Sequence, residues 1–273
     1  YAVARLAGAD ACLVRANALV RDGAGEPPEA ADYAMELVTV ALPDGASLWY
    51  DPGLEGGIVD HVRSGLRGRP ALLAGCGRTQ RQVVVPGFGV GRDRRAVSID
   101  LNWHADGAVQ GRVTETMHGA TAAFVGQWLA DAPPSEHSKL PAQLASGAFP
   151  GLELTLAGTR QLEDDATLEV TYTVTGKADA ARTHALDLGL YPSEVGKTYA
   201  VLQQRSTTMS FGFAQDVDIR LTVHSSGAVP APVAAARGDC PLLSWRRSAS
   251  QTVDGVAVAF SLRAEAGAVA PAL

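Results

Sequence analysis

Residues 33–53 read Tyr33-Ala-Met-Glu-Leu-Val-Thr-Val-Ala-Leu-Pro-Asp-Gly-Ala-Ser-Leu-Trp-Tyr-Asp-Pro-Gly53, two apolar runs on either side of a short turn. Glu36 to Leu42 reads as one strand, Pro43-Asp44-Gly45-Ala46 as the turn and Ser47 to Asp51 as the returning strand. Asp-Gly turns take the left-handed backbone that right-twisted strands need, so the hairpin follows from the residues themselves. The two-residue period of a strand puts Trp49 and Asp51 on one face.

Working outward, Leu66-Arg-Gly-Arg-Pro-Ala-Leu-Leu73 runs into a further strand, and Arg5-Leu-Ala-Gly-Ala-Asp-Ala-Cys-Leu-Val14 reads as the end of a helix passing into a strand. Together with the Trp-x-Asp-Pro strand end, these segments resemble the bacterial transglutaminase-like (papain-like) superfamily. The resemblance implies an Asn-His-Ala entry to the first strand of the hairpin, and Met35 stands where that histidine belongs. Asp51 is retained at the position of the aspartate that would orient it. The Gly-Asp-Cys start of the nucleophile helix would lie before Tyr1. The chain opens inside an element and without an initiator Met, so it reads as a processed product or a domain fragment.

In such a site an imidazole takes the proton of a thiol, and a carboxylate behind the imidazole fixes its tautomer. A thioether has no titratable proton. Losing the base from a unit of this kind costs on the order of 10³ to 10⁶ in rate. No residue is therefore expected to be catalytically active. Met35 and Asp51 are read as relics, with Trp49 lining the former cleft. A buried Asp51 without its histidine needs another partner, and Arg69 or backbone donors are expected to supply one. As an alternative, Asp51 is simply an Asp-Pro turn former.

Cys12 sits among small and apolar neighbours and reads as a buried core thiol rather than a nucleophile. Cys76 follows the Pro-Ala-Leu-Leu strand in a Gly-rich turn, and Cys240 lies in Asp-Cys-Pro. Three cysteines do not close a disulfide framework, although one bridge plus one free thiol fits the count, and no C-x-x-C is present. The histidines, His61, His104, His118, His137, His184 and His224, show no i,i+4 pair and read as scattered surface or turn residues. Neither a metal nor a cofactor is expected. Gly87-Phe-Gly-Val-Gly-Arg92 is glycine-rich but opens no helix, and there is no GxSxG elbow.

A chain of 273 residues with 47% hydrophobic content suits one large domain or two ordinary ones. The net charge of −6, with Lys139, Lys177 and Lys197 as the lysines, argues against nucleic acid or an anionic membrane as the main partner. No segment approaches the roughly 20 apolar residues of a transmembrane helix. The texture changes after Gly77, which divides the chain into a partial transglutaminase-like core, 1–77, and a β-sandwich domain, 78–273.

In the second part Val97, Ile99, Leu101 and Trp103 alternate onto one face, His104 to Ala108 forms a hairpin, and Val109 to His118 returns. Helices follow at Ala120–Ala130, with Phe124 and Trp128 facing inward, and at Ser135–Ser146, opened by Pro133-Pro134 with Ser135 as its N-cap. Further strands are expected at Leu152–Leu162, Thr167–Thr175, Thr183–Leu190, Ser206–Phe213, Val217–His224, Leu242–Ser248 and Gln251–Leu262, and Val229 to Ala236 reads as a loop. The fold class is thus mostly β (α+β): an incomplete core followed by a large β-sandwich with a two-helix insertion. Arg205-Ser-Thr-Thr-Met-Ser-Phe211 and Asp216-Val-Asp-Ile-Arg-Leu-Thr-Val-His224 resemble the C-terminal β-domain of bacterial envelope proteins that carry such a core.

The resemblance implies a non-catalytic interaction or scaffold module of the periplasm or cell envelope, with other proteins or an extended peptide as partners. One alternative is the C-terminal part of an active cysteine peptidase or acyltransferase with its nucleophile upstream. Another is a carbohydrate-binding sandwich presenting Trp103, Trp128 and Trp245.

Overall fold

The computed structural model describes residues 1–17, 33–54, 60–76, 81–87, 93–145, 148–162, 167–177, 209–211, 214–226, 232, 234–265 and 267–269. They form a mostly β, α+β structure. A short helix α1 (Ala2–Leu6) leads into β1 (Ala11–Ala16), which pairs with β2 (Met35–Ala41) and β4 (Pro70–Ala74). β3 (Ser47–Tyr50) and β5 (Arg81–Val84) complete an antiparallel sheet of order β3-β2-β1-β4-β5. Val14, Ala16, Leu37, Trp49, Val62 and Leu66 are in its core. Because β5 belongs to this sheet, the chain passes to the next one between Val84 and Arg94 rather than at residue 77.

Cys12 is not a buried thiol. It forms a disulfide with Cys76, at a Cα–Cα distance of 4.9 Å, which ties β1 to the turn after β4; Cys240 is free and exposed.

The second sheet is built on β6 (Arg94–Trp103) and β7 (Ala108–His118). Val97, Ile99 and Leu101 are buried while Ser98, Asp100 and Asn102 are exposed, as alternation predicts. The turn between them needs Gly107 at φ 86°, where a side chain would be strained, and Asp106 Oδ1 accepts from Ala108 N. α2 (Ala120–Asp131), a 3₁₀ turn (Pro134–Lys139) and α3 (Leu140–Leu144) precede β8 (Glu153–Gln161) and β9 (Thr167–Lys177).

The expected single helix over 135–146 is broken at Pro141. That residue would have faced the His137 carbonyl without an N–H to offer it, and its ring would clash there. Leu140 N instead bonds His137 O, and Pro133, not Ser135, is the cap residue, with no side-chain bond.

β11 (Gln215–Ser225), β12 (Ala236–Cys240), β13 (Leu243–Gln251) and β14 (Gly255–Ala264) extend the sheet, while β10 (Met209–Phe211) and β15 (Gly267–Val269) form a separate pair. β12 includes residues beyond the loop read from the sequence, and the strand expected at Thr183–Leu190 lies outside the described residues. Among the described residues the eight main strands are hydrogen-bonded in the order β12-β13-β14-β11-β6-β7-β9-β8. The parallel pairing of β6 with β11 joins two antiparallel groups edge to edge. Over β7 and β9 the second layer is helical: Ala122, Val125 and Leu140 pack with Val113, Met117, Val170 and Tyr172. Among the described residues no helix is long and apolar enough to cross a membrane.

Inside this core Glu115 is fully buried. Its Oε1 accepts from the Tyr172 hydroxyl at 2.7 Å and its Oε2 from Arg95 Nε at 2.8 Å, while Arg95 Nη2 donates to Leu144 O at 2.8 Å and so fastens α3 to the sheet. Removing one partner of such a pair strands the other charge, so Glu115→Ala should lower unfolding stability by about 3–5 kcal/mol in urea titrations. An unchanged midpoint would show that the pair carries none of the stability.

Candidate functional site

The β2–β3 hairpin closes as its turn chemistry requires. Leu42 N bonds Ala46 O at 2.8 Å, Gly45 N bonds Leu42 O at 3.0 Å, and Gly45 sits at φ 85°. The register sets Val38 against Tyr50 and Thr39 against Trp49. Extended by one pair, it places Asp51 against Leu37, on the face that also carries Met35.

Asp51 is 1% exposed, immediately beyond β3. Its partner is Arg63 rather than Arg69. Arg63 donates from Nε to Oδ2 at 2.7 Å and from Nη2 to Oδ1 at 2.6 Å, a two-pronged guanidinium–carboxylate contact. The backbone N–H groups of Gly53 and Arg63 add bonds of 2.9 and 3.0 Å. A parallel bridge between Tyr50 and His61 brings the Arg63 segment alongside β3, while Arg69 Nε donates to Gly65 O. No sequence spacing announces the Asp51–Arg63 pairing, because it is made by a loop returning in space. Burial alone would raise the Asp51 pKa, but the bonds from Arg63 and the two backbone donors outweigh it and hold the carboxyl below its usual range.

Met35 is partly buried, opposite Ala16, and packs on the core of the first sheet. Trp49, 7% exposed, is part of that core.

A second polar cluster went unseen in the sequence, where its histidine reads as a surface residue. His61 is 3% exposed, and its Nε2 lies 3.1 Å from Asp93 Oδ1. The same oxygen accepts from Ala120 N, at the start of α2, at 2.8 Å, and Oδ2 is paired with Arg67 at 2.5 Å. Arg67 Nε also donates to Val62 O. Burial pushes the Asp93 pKa up, yet the His61 bond, the Arg67 charge and the Ala120 N–H prevail and lower it. His118 approaches His61 edge to face at 6.4 Å and bonds Thr167. His224 is flanked by Asp254 at 2.7 Å and Asp100 at 3.6 Å, and the Asp254 bond leads in raising its pKa. His184 lies outside the described residues.

Among the described residues a cleft of about 560 Å³ opens between the Gly53-Leu54 turn and α2, lined on the helix side by Phe124, Gln127, Trp128 and Asp131. Phe124 is 73% exposed, so it does not face inward as expected. The small residues Ala122 and Ala123 face the sheet together with Val125, which lets the helix approach closely and leaves Phe124 outside, while Trp128 is half-buried against the core as expected.

No protein-family profile matches the chain, and no curated protein matches it. A crystal structure of a protein from Parabacteroides distasonis, provisionally described as a protease, is similar with a TM-score of 0.45 and 10% sequence identity, over 98% of this chain and 36% of that one. The chain thus spans about a third of that protein's length, and the likeness is too remote to assign family or activity.

Arg63→Ala should cost about 2–3 kcal/mol at neutral pH, since it strands a buried carboxylate that keeps only two backbone donors. The folded-state pKa of Asp51 is depressed, so its contribution is present above the unfolded carboxylate value near about 3.9 and is lost as pH falls through the folded value. The gap between the native protein and Arg63→Ala, read from urea unfolding across pH, should therefore narrow below about pH 4. A gap constant with pH would refute the assignment.

Proposed function

We propose that this chain is a non-catalytic transglutaminase-like module joined to a β-domain, acting as an interaction or scaffold domain of the bacterial cell envelope. The observation that carries this reading is the state of Asp51. Both of its oxygens are engaged by Arg63 and backbone donors, at the position where the superfamily resemblance expects a carboxylate behind a histidine. A guanidinium has no pKa accessible to general-base chemistry, and Met35 offers no proton acceptor of the needed strength.

The chain's three cysteines are the Cys12–Cys76 bridge and the exposed Cys240, and Cys240 sits on β12 at the far edge of the other sheet. The bridge suits an oxidising compartment and supports an envelope location. The module comprises two units that meet between β5 and β6. Its partners are other proteins or an extended peptide, held by surfaces that outlast the loss of chemistry, since binding and bond cleavage are separable contributions.

Incubated with casein, a fluorescent primary amine and a fluorogenic peptide, the protein should neither hydrolyse nor transamidate above background. Turnover that disappears on thiol alkylation or in Asp51→Asn would overturn the reading. Thiol titration of the unreduced, denatured chain should find one free thiol, from Cys240; three would remove the support for an oxidising compartment.

A further inference from the structure

The cleft between the Gly53-Leu54 turn and α2 has a chemistry of its own. Phe124, Gln127, Trp128 and Asp131 follow one another at i, i+3, i+4 and i+7 along the wall of the cleft, with Phe124 exposed and Trp128 half-buried against the core. Gln127 Nε2 donates to Asp131 Oδ2 at 2.8 Å. That bond uses a donor of the amide and leaves Gln127 Oε1 and Asp131 Oδ1 as acceptors at the cleft wall. Phe124 and Trp128 also line the cleft, and an aromatic ring carries negative electrostatic potential over its faces.

The stripe also ends at the C-terminus of α2, where the helix dipole is negative and basic residues are favoured. The last turn holds no basic residue, and an acidic one stands there instead. A carboxylate at that end opposes the dipole, an arrangement that a bound cation would relieve. Across the cleft the Arg63 guanidinium lies over Gly53, but its charge is matched by Asp51 at 2.6 and 2.7 Å. The described wall therefore carries acceptors and aromatic rings, and among the described residues no arginine or lysine is ion-paired with Asp131.

The geometry points to a site for a basic side chain, the ammonium of lysine or the guanidinium of arginine on a polypeptide partner. Its aliphatic stem lies across Phe124 and Trp128, and its head meets Asp131. A space of about 560 Å³ accommodates one such side chain with its flanking backbone. The peptide nature of the occupant rests on the reading of the chain as an interaction module. The cationic group rests on the cleft itself.

The test uses the full chain with its disulfide intact, titrated by calorimetry with acetyl-Gly-Gly-Lys-Gly-Gly-amide and its arginine, norleucine and glutamate counterparts. The lysine and arginine peptides should bind, and the norleucine and glutamate peptides should not. Asp131→Asn and Phe124→Ala, both at exposed side chains, should each weaken binding about tenfold while leaving the thermal midpoint unchanged. Equal binding of the norleucine peptide, affinity unchanged in Asp131→Asn, or no binding of either basic peptide at millimolar concentration overturns the site. Binding of a neutral oligosaccharide such as maltotriose with the same dependence on Phe124 and Asp131 overturns the assignment to a cation. Mass spectrometry of the recovered peptide separates the two readings: an intact, unbound peptide removes only the cation site, whereas a cleaved or cross-linked one removes the non-catalytic function.

Discussion

The carboxylate of Asp93 is the point on which the described parts of the molecule converge. It receives His61 and Arg67 from the segment that follows the first sheet's hairpin, and the first N–H of α2 from the second unit, while its backbone carbonyl accepts from Asp216 at the start of β11. Burying a carboxylate and a guanidinium costs several kcal/mol per ion, and this is offset only when geometry and further hydrogen bonds are good. Apolar packing builds each sheet, and it is non-directional. A charged, directional knot is what sets one sheet against the other. Because Asp93 caps the start of α2, it also decides where Phe124, Trp128 and Asp131 fall relative to the Gly53-Leu54 turn, and so whether a cleft exists there at all.

The same device recurs at the buried acids among the described residues. Asp51 has Arg63, Asp93 has Arg67, Glu115 has Arg95 and Asp216 has Arg263. The cation is arginine each time, in a chain whose lysines are Lys139, Lys177 and Lys197. A planar fork satisfies two lone pairs at once and is less strongly hydrated than an ammonium, so it is the cheaper cation to bury. At Asp51 both carboxylate oxygens are bound by a permanent cation, and the residue is a structural anchor of the loop beside the cleft.

Much of the fold was legible in the residues. Asp44-Gly45 announced the β2–β3 turn, Asp106-Gly107 the β6–β7 turn, and the alternation of Val97, Ile99 and Leu101 the buried face of β6. Each of these signals acts over a few residues and carries its own stereochemistry. The failures share a cause as well. The phase of α2 was only partly legible: Trp128 packs on the core as its spacing suggested, but Ala122, Ala123 and Val125 take the face against β7 and β9 and leave Phe124 outside. His61 read as a surface histidine because nothing local marks it as the neighbour of Asp93. Arg69 or backbone donors were expected at Asp51; the backbone donors are there, but the guanidinium is that of Arg63, whose segment the Tyr50–His61 bridge lays beside β3.

By itself, then, the sequence determined most of the strands, the turns, the α+β class and the acidic balance, all of which depend on local periodicity, turn stereochemistry or composition. Only the tertiary structure decided the order of the strands, the parallel meeting of β6 and β11, the partner of every buried charge and the cleft beside α2. Strand neighbours and ion pairs are chosen by contacts between segments tens of residues apart, and their energies arise only once water has been excluded between them.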